Sequence, residues 1–220
     1  MKLIKAKNYN EMSEKASEIV IKNILKKPNL AIAFATGKTP VGLYKNLVKA
    51  HKEDKINFSK VKAFNLDEYY PISKKNKESS NYYLHKKLFD KLNIPKKNIT
   101  LLSSQVKNWQ KECSNYEKNI KKSKVDLMIL GVGVNGHIAF NEPGSEINSK
   151  TRLVELKHKA VRKKALTIGV STILSAKKVI LLASGKKKTK AISYLIKSKP
   201  NKKYPVSFLK KHKNFTVIIA

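Results

Sequence analysis

The sequence predicts an α/β fold built on a mainly parallel sheet with helices on both faces. Short apolar runs, bounded by Gly or polar turns, alternate with amphipathic segments of helix length from one end of the chain to the other. Three of those runs open directly into polar islands, at residues 36–40, 64–70 and 131–144. In open α/β sheets the carboxyl ends of the strands are where ligands bind, so the islands mark the working edge. No internal repeat or low-complexity linker divides the chain, and one domain over residues 1–220 is expected.

In chain order, an amphipathic helix fits residues 11–26, with Met12, Ala16, Ile19 and Val20 on one face and Asn10 as a candidate cap. Residues 30–35 form an apolar strand. Thr39 can then cap, and Pro40 can occupy the first position of, a helix running to residue 51. Further strands fit 61–65, 99–102, 125–130, 153–156, 179–183 and 215–219, and further helices fit 81–92, 109–121, 165–175 and 189–197.

The 131–144 island is the most informative. It crowds Asn135, His137 and Glu142 into a Gly-rich turn after an apolar run, a composition suited to a reaction site and not to a core. Gly131, Gly133 and Gly136 match the dinucleotide fingerprint in form, but that fingerprint needs its third Gly to open a helix. Here Phe-Asn-Glu-Pro-Gly at 140–144 breaks any helix within two turns. The second island sets Asp67 and Glu68 at another strand end. The third, Thr36-Gly37-Lys38-Thr39, is a Gly turn with hydroxyls before a helix, where free backbone N–H groups and the helix dipole favour a phosphate. It is not a P-loop, because Ile32 stands where that motif requires Gly.

Composition removes several function classes. At 41% hydrophobic, 220 residues suffice for a sizeable core, and no apolar run approaches the length of a membrane span. The first residues lack a signal-peptide core, so a cytoplasmic location is expected. Cys113 stands alone, which leaves no disulfide framework and no Cys-based metal site, and its neighbours suggest a helix surface or a half-buried position. No residue pattern requires a metal or a cofactor. The net charge of +33 invites a nucleic-acid reading, yet of 48 cationic residues only Arg152 and Arg162 are Arg. Specific nucleic-acid interfaces lean on Arg for bidentate contacts, and the lysines here run from Lys2 to Lys213 without forming a stripe. Genome-level codon bias toward Lys, Asn and Ile explains them more simply, with salt-sensitive polyanion binding as a side property.

Five motifs together resemble one family: T-G-x-T-P at 36–40, F-N-x-D-E-Y at 64–69, E-S at Glu78 and Ser79, G-x-x-G-H-I-A-F-N-E-P-G at 133–144, and A-L-T-x-G at 165–169. The chain is similar over nearly its whole length to the glucosamine-6-phosphate deaminases, relatives of the 6-phosphogluconolactonases, and the Ile-Ala-Phe-Asn-Glu-Pro run at 138–143 favours the deaminase branch. The resemblance implies a Rossmann-like fold and conversion of glucosamine 6-phosphate to fructose 6-phosphate and ammonia. It implies Asp67 as the base moving a proton between C2 and C1, His137 as the ring-opening acid and base, Glu142 as its orienting partner, and Asn135 completing the turn. It also implies a phosphate cradle of Thr36, Gly37, Lys38, Thr39 and Lys188. The segment between Arg152 and the A-L-T run is shorter than the family's and lacks its lid Arg, so Lys38 or Arg162 is expected to stand in for it. The chain ends after its last strand, without the tail that longer members use for allosteric control, and no such control is expected. A lactonase-like sugar-phosphate hydrolase and a catalytically degenerate member are the alternatives. The expected partner is a small amino-sugar phosphate, with no membrane and no specific nucleic acid.

Overall fold

The computed structural model describes residues 1–156 and 164–220. Along the chain the elements are β1 (Lys2–Lys5), α1 (Tyr9–Lys26), β2 (Ala31–Phe34), α2 (Val41–Lys52), β3 (Lys62–Asn65), β4 (Asp67–Tyr69), α3 (Ser80–Lys87), β5 (Ile99–Thr100), α4 (Trp109–Ser123) and β6 (Leu127–Gly131). They continue with β7 (Arg152–Glu155), β8 (Lys164–Thr167), α5 (Val170–Leu174), β9 (Val179–Ala183), α6 (Thr189–Lys197) and β10 (Phe215–Ile219). Seven strands form a parallel sheet in the order β1-β10-β9-β6-β2-β3-β5. The remaining three form a small antiparallel sheet, β4-β8-β7.

Alternation along β2 explains the layering. Ala31, Ala33 and Ala35 face one core with Tyr116 and Ile120 of α4, Ile173 of α5 and Leu195 of α6. Ile32 and Phe34 face the other, with Met12 and Val20 of α1, Leu43 and Leu47 of α2 and Leu84 of α3. A period of two in a strand buried on both faces supplies both cores, and each large side chain so buried contributes roughly 1.5–3 kcal/mol.

Several boundaries differ from those read in the sequence, each for a local reason. Asn8, not Asn10, caps α1, its side chain accepting from the Glu11 N–H at 3.0 Å. Pro40 is itself the cap residue of α2, with no side-chain cap bond from Thr39. The helix expected over 81–92 ends at Lys87 and continues as a 3-10 turn at Phe89–Lys91. The strand expected over 99–102 is only Ile99–Thr100.

The largest departure is at 165–175. These residues do not form one helix: Lys164–Thr167 is a strand paired with both β4 and β7, and the helix is confined to Val170–Leu174. Tertiary pairing on two sides overrides the helical preference of Ala and Leu. Cys113, read as a surface or half-buried position, is in fact buried, and that burial pushes its thiol up to about 11.

The antiparallel sheet begins where the chain leaves β3, and Asn65 makes that exit. Fully buried, its side chain donates to the Asp67 carbonyl at 2.8 Å and accepts from the Leu102 N–H and the Tyr116 hydroxyl, each at 3.0 Å. Replacing it with an apolar isostere strands the Asp67 carbonyl and the Leu102 N–H, while the Tyr116 hydroxyl keeps its 2.7 Å bond to the backbone carbonyl of residue 65. Asn65→Leu is therefore expected to lower the unfolding free energy by roughly 2–4 kcal/mol, read as a shifted urea midpoint.

Candidate active site

Chain order reverses between β2 and β6, since β3 and β5 lie to one side of β2 while β6, β9, β10 and β1 lie to the other. A crevice forms at the carboxyl end of such a switch. Four adjacent strands deliver the expected residues to that edge: β9 leads to Lys188, β6 to Asn135, His137 and Glu142, β2 to Thr36 through Thr39, and β3 to Asp67.

After β6 the chain closes a tight turn, with the Gly133 N–H donating to the His137 carbonyl at 2.9 Å. A Cβ on residue 133 would lie 2.2 Å from His137 Cε1, so only Gly lets the imidazole fold back over the turn. His137 Nδ1 lies 3.0 Å from Glu142 Oε1, an ion-pair distance, but out of line for a straight hydrogen bond. Asn135 donates to Glu142 Oε2 at 2.6 Å and accepts from the His137 N–H at 3.2 Å. Asn135, His137 and Glu142 thus form one cluster, with Asn135 hydrogen-bonded to both neighbours and the imidazole 3.0 Å from the Glu142 carboxylate.

The turn is fixed from outside by residues to which the sequence reading gave no role. Asn141, fully buried, donates to the carbonyls of Ile138 and Ile168 at 3.0 and 2.8 Å, and accepts from Arg152 Nη1 at 3.0 Å. Thr167 Oγ1 accepts from the Phe140 N–H at 3.1 Å. Ala139 adopts a left-handed φ of +49°, uncommon for a residue with a Cβ.

Asp67 opens β4 and is 7% exposed. Glu68, 2% exposed, collects the amino end of α3: its carboxylate accepts from the Ser79 hydroxyl at 2.7 Å and from the N–H groups of Ser80 and Asn81 at 2.8 and 3.0 Å. Asp67 accepts from the Ser80 hydroxyl at 3.2 Å. Burial and the adjacent Glu68 charge push the Asp67 carboxyl up to about 7, against the smaller opposing pulls of the Ser80 hydroxyl and of His137. The signal for Ser79 and Ser80 in the sequence was a Ser at a helix start, which alone is only a cap.

Around the anion loop, Gly37 and Lys38 are exposed while Thr36 and Thr39 are partly covered. Lys188 closes a 3-10 turn at Lys186–Lys188, and partial burial lowers the proton affinity of its amine. Arg162, the other candidate for the missing lid Arg, lies outside the described residues. Among the described residues no group of three or more His, Cys, Asp or Glu could hold a metal ion, and no helix is long and apolar enough to cross a membrane.

Fold and site together define a Rossmann-like α/β protein with Asp67, the His137–Glu142 cluster and the 36–39 Gly turn at the switch point of its sheet. The chain belongs to the family described as glucosamine-6-phosphate isomerases/6-phosphogluconolactonase, whose model matches residues 5–218. Among curated relatives, a glucosamine-6-phosphate deaminase of Clostridium novyi (strain NT) is 42% identical over 233 aligned residues, covering 100% of this chain and 97% of the relative. One of Thermoanaerobacter sp. (strain X514) is also 42% identical, with 100% and 92% covered. A solved monomeric glucosamine-6-phosphate deaminase superposes with a TM-score of 0.97 at 33% identity, covering 100% of this chain and 97% of that one. The 6-phosphogluconolactonase of Thermotoga maritima, at 23% identity and a TM-score of 0.81 over 99% of this chain and 96% of its own, shares the fold.

Asp67→Asn tests the burial of that carboxyl. The native group holds its proton up to about pH 7, whereas the unfolded one releases it near its ordinary value of 3.8, so wild-type stability falls as pH rises between the two. The Asn variant escapes that loss. Its melting temperature minus the wild type's is expected to grow from about pH 4 to about pH 7 and then level off, read by calorimetry across a pH series; a difference independent of pH contradicts the assignment.

Proposed function

We propose that the protein converts glucosamine 6-phosphate and water into fructose 6-phosphate and ammonia. One observation carries this reading: Asp67, a buried carboxyl with its proton affinity raised to about 7, stands across β2 from the paired His137 and Glu142. A carbon acid beside a carbonyl needs a base of this kind, desolvated and poised near neutral pH, and the ring must first be opened by a group that both takes and gives a proton. The names of the relatives point to the same reaction.

In this reading His137 takes the proton of the O1 hydroxyl and returns one to O5, which opens the ring to the 2-amino aldehyde. Glu142 sets the orientation of the imidazole and balances its charge, as a carboxylate does for a catalytic His elsewhere, and Asn135 holds Glu142 in place. Asp67 takes the C2 proton to give the enolamine and delivers a proton to C1, leaving an imine at C2. Water adds to that carbon and ammonia departs. Thr36, Gly37, Lys38, Thr39 and Lys188 receive the phosphate, with Lys38 or Arg162 carrying the charge that the family's lid Arg supplies. The chain works as one domain over 1–220 and in the cytoplasm, since a charged sugar phosphate does not cross a bilayer unaided.

Ammonia and fructose 6-phosphate release from glucosamine 6-phosphate is the direct test. Asp67→Asn is expected to lower kcat by roughly 10³-fold or more, within the range assigned to a positioned acid or base. The wild-type kcat/KM is expected to rise with pH through about 7 as Asp67 ionises in the free enzyme, because only the carboxylate can take the C2 proton. Wild-type inactivity on this substrate, with hydrolysis of 6-phosphogluconolactone in its place, would move the assignment to the lactonase branch.

A further inference from the structure

Three tyrosines from three helices take the backbone carbonyls around the anion loop. The Tyr44 hydroxyl of α2 donates to Ala35 at 2.5 Å, the Tyr83 hydroxyl of α3 donates to Gly37 at 2.5 Å, and the Tyr9 hydroxyl of α1 is shared between Lys38 and Thr39 at 3.2 Å each. Tyr9 also accepts from the Gly42 N–H at 2.7 Å, which ties it to the first turn of α2. Gly37 carries a left-handed φ of +92°, the backbone state that lets successive carbonyls turn toward one side.

Peptide planarity turns this into a statement about donors. In a trans peptide the N–H of a residue points opposite to the carbonyl of the residue before it. With the carbonyls of 35, 37 and 38 held by the tyrosines, the N–H groups of Thr36, Lys38 and Thr39 face the opposite way. The carbonyl of Thr39 belongs to the peptide of Pro40, which has no N–H to orient. At these three peptides the acceptors are held by the tyrosines and the donors turned the other way, which is the polarity of an anion-binding nest.

We infer that Tyr9 and Tyr83 are positioning residues for a phosphate monoester: by holding the 37–39 carbonyls they keep the loop's amides aimed at the phosphate without touching it. Tyr44 is left out of the assignment because it is fully buried in the core and its loss would be a packing change. The inference rests on the reading that the 36–39 loop receives the substrate phosphate, so its test needs a probe that does not depend on turnover.

Tyr9→Phe, Tyr83→Phe and the double variant are compared with the wild type in three measurements: thermal melting, inorganic phosphate affinity by calorimetry, and KM and kcat for glucosamine 6-phosphate. Each single change is expected to weaken phosphate binding about fivefold and the pair roughly 20-fold, the scale of one or two hydrogen bonds' worth of ordering. KM should rise in parallel and kcat should stay within about twofold, since the loop holds ground and transition states alike. Folded Phe variants with unchanged phosphate affinity and KM overturn the inference, as does a fall in kcat at constant KM. Should the double variant melt, Tyr83→Phe alone reads the same quantity, since Tyr83 is only partly buried and the change removes one hydroxyl and leaves the ring in place. Tyrosine-dependent phosphate binding in a protein that does not turn over glucosamine 6-phosphate would keep the clamp and remove the proposed reaction.

Discussion

Two consecutive carboxylates are buried where the chain leaves β3, and the unequal way they are satisfied organises the rest of the site. Glu68 takes the donors at the amino end of α3, including two backbone N–H groups and the Ser79 hydroxyl. Asp67 receives one side-chain hydroxyl at 3.2 Å. A carboxyl in a low dielectric gives up its proton readily only when several donors converge on it, so Asp67, with one such donor beside the Glu68 carboxylate, keeps its proton to about neutral pH. The small antiparallel sheet keeps the pair there. Asp67 pairs in register with Thr167, and Thr167 accepts from Phe140 of the His137 turn. One strand thereby ties the candidate base to the candidate ring-opening group.

Such a site is held against its own local preferences. An under-solvated acid, an alanine at positive φ and an imidazole folded over a glycine each cost stability, and they persist where the surroundings determine the backbone from several sides. The surroundings here are two cores on opposite faces of one sheet, together with fully buried Asn65 and Asn141, whose amides bridge backbone groups from different elements. Local strain at the edge is offset by packing in the centre, the usual trade between activity and stability.

The parallel sheet was legible in the sequence because its inner strands are apolar on both faces and long enough to stand out, as in 125–130 and 179–183. Of the antiparallel sheet only the strand expected over 153–156, observed as Arg152–Glu155, was. Its strand Asp67–Tyr69 has three residues, two of them acidic, and Lys164–Thr167 carries helix-forming residues that become a strand only through neighbours distant in sequence. Lys2–Lys5 was missed because an edge strand with a Lys at each end shows no alternation. The residues expected at the site stood out as polar groups crowded at strand ends, with Lys188 and the individual roles supplied by the family resemblance. Those that hold them in place could not: Tyr9 reaches across 30 positions to Thr39 and Tyr83 across 46 to Gly37, and no local pattern announces such contacts.

The heavy positive charge does not disturb this arrangement. The acid–base residues proposed for the site are Asp67, His137 and Glu142, with Asn135 bonded to Glu142, and apart from Lys38 and Lys188 of the proposed phosphate cradle the lysines spread along the chain set a general field that draws anions toward the molecule. The proposed reaction turns on one proton at Asp67. The most direct measurement follows hydrogen exchange at C2 of glucosamine 6-phosphate in deuterium oxide by NMR, across pH, for the wild type and Asp67→Asn. Exchange that rises through a single ionisation near pH 7 in the wild type and is absent in the variant is the predicted result. Exchange that persists without the Asp67 carboxylate, or that ignores pH through that range, would contradict it.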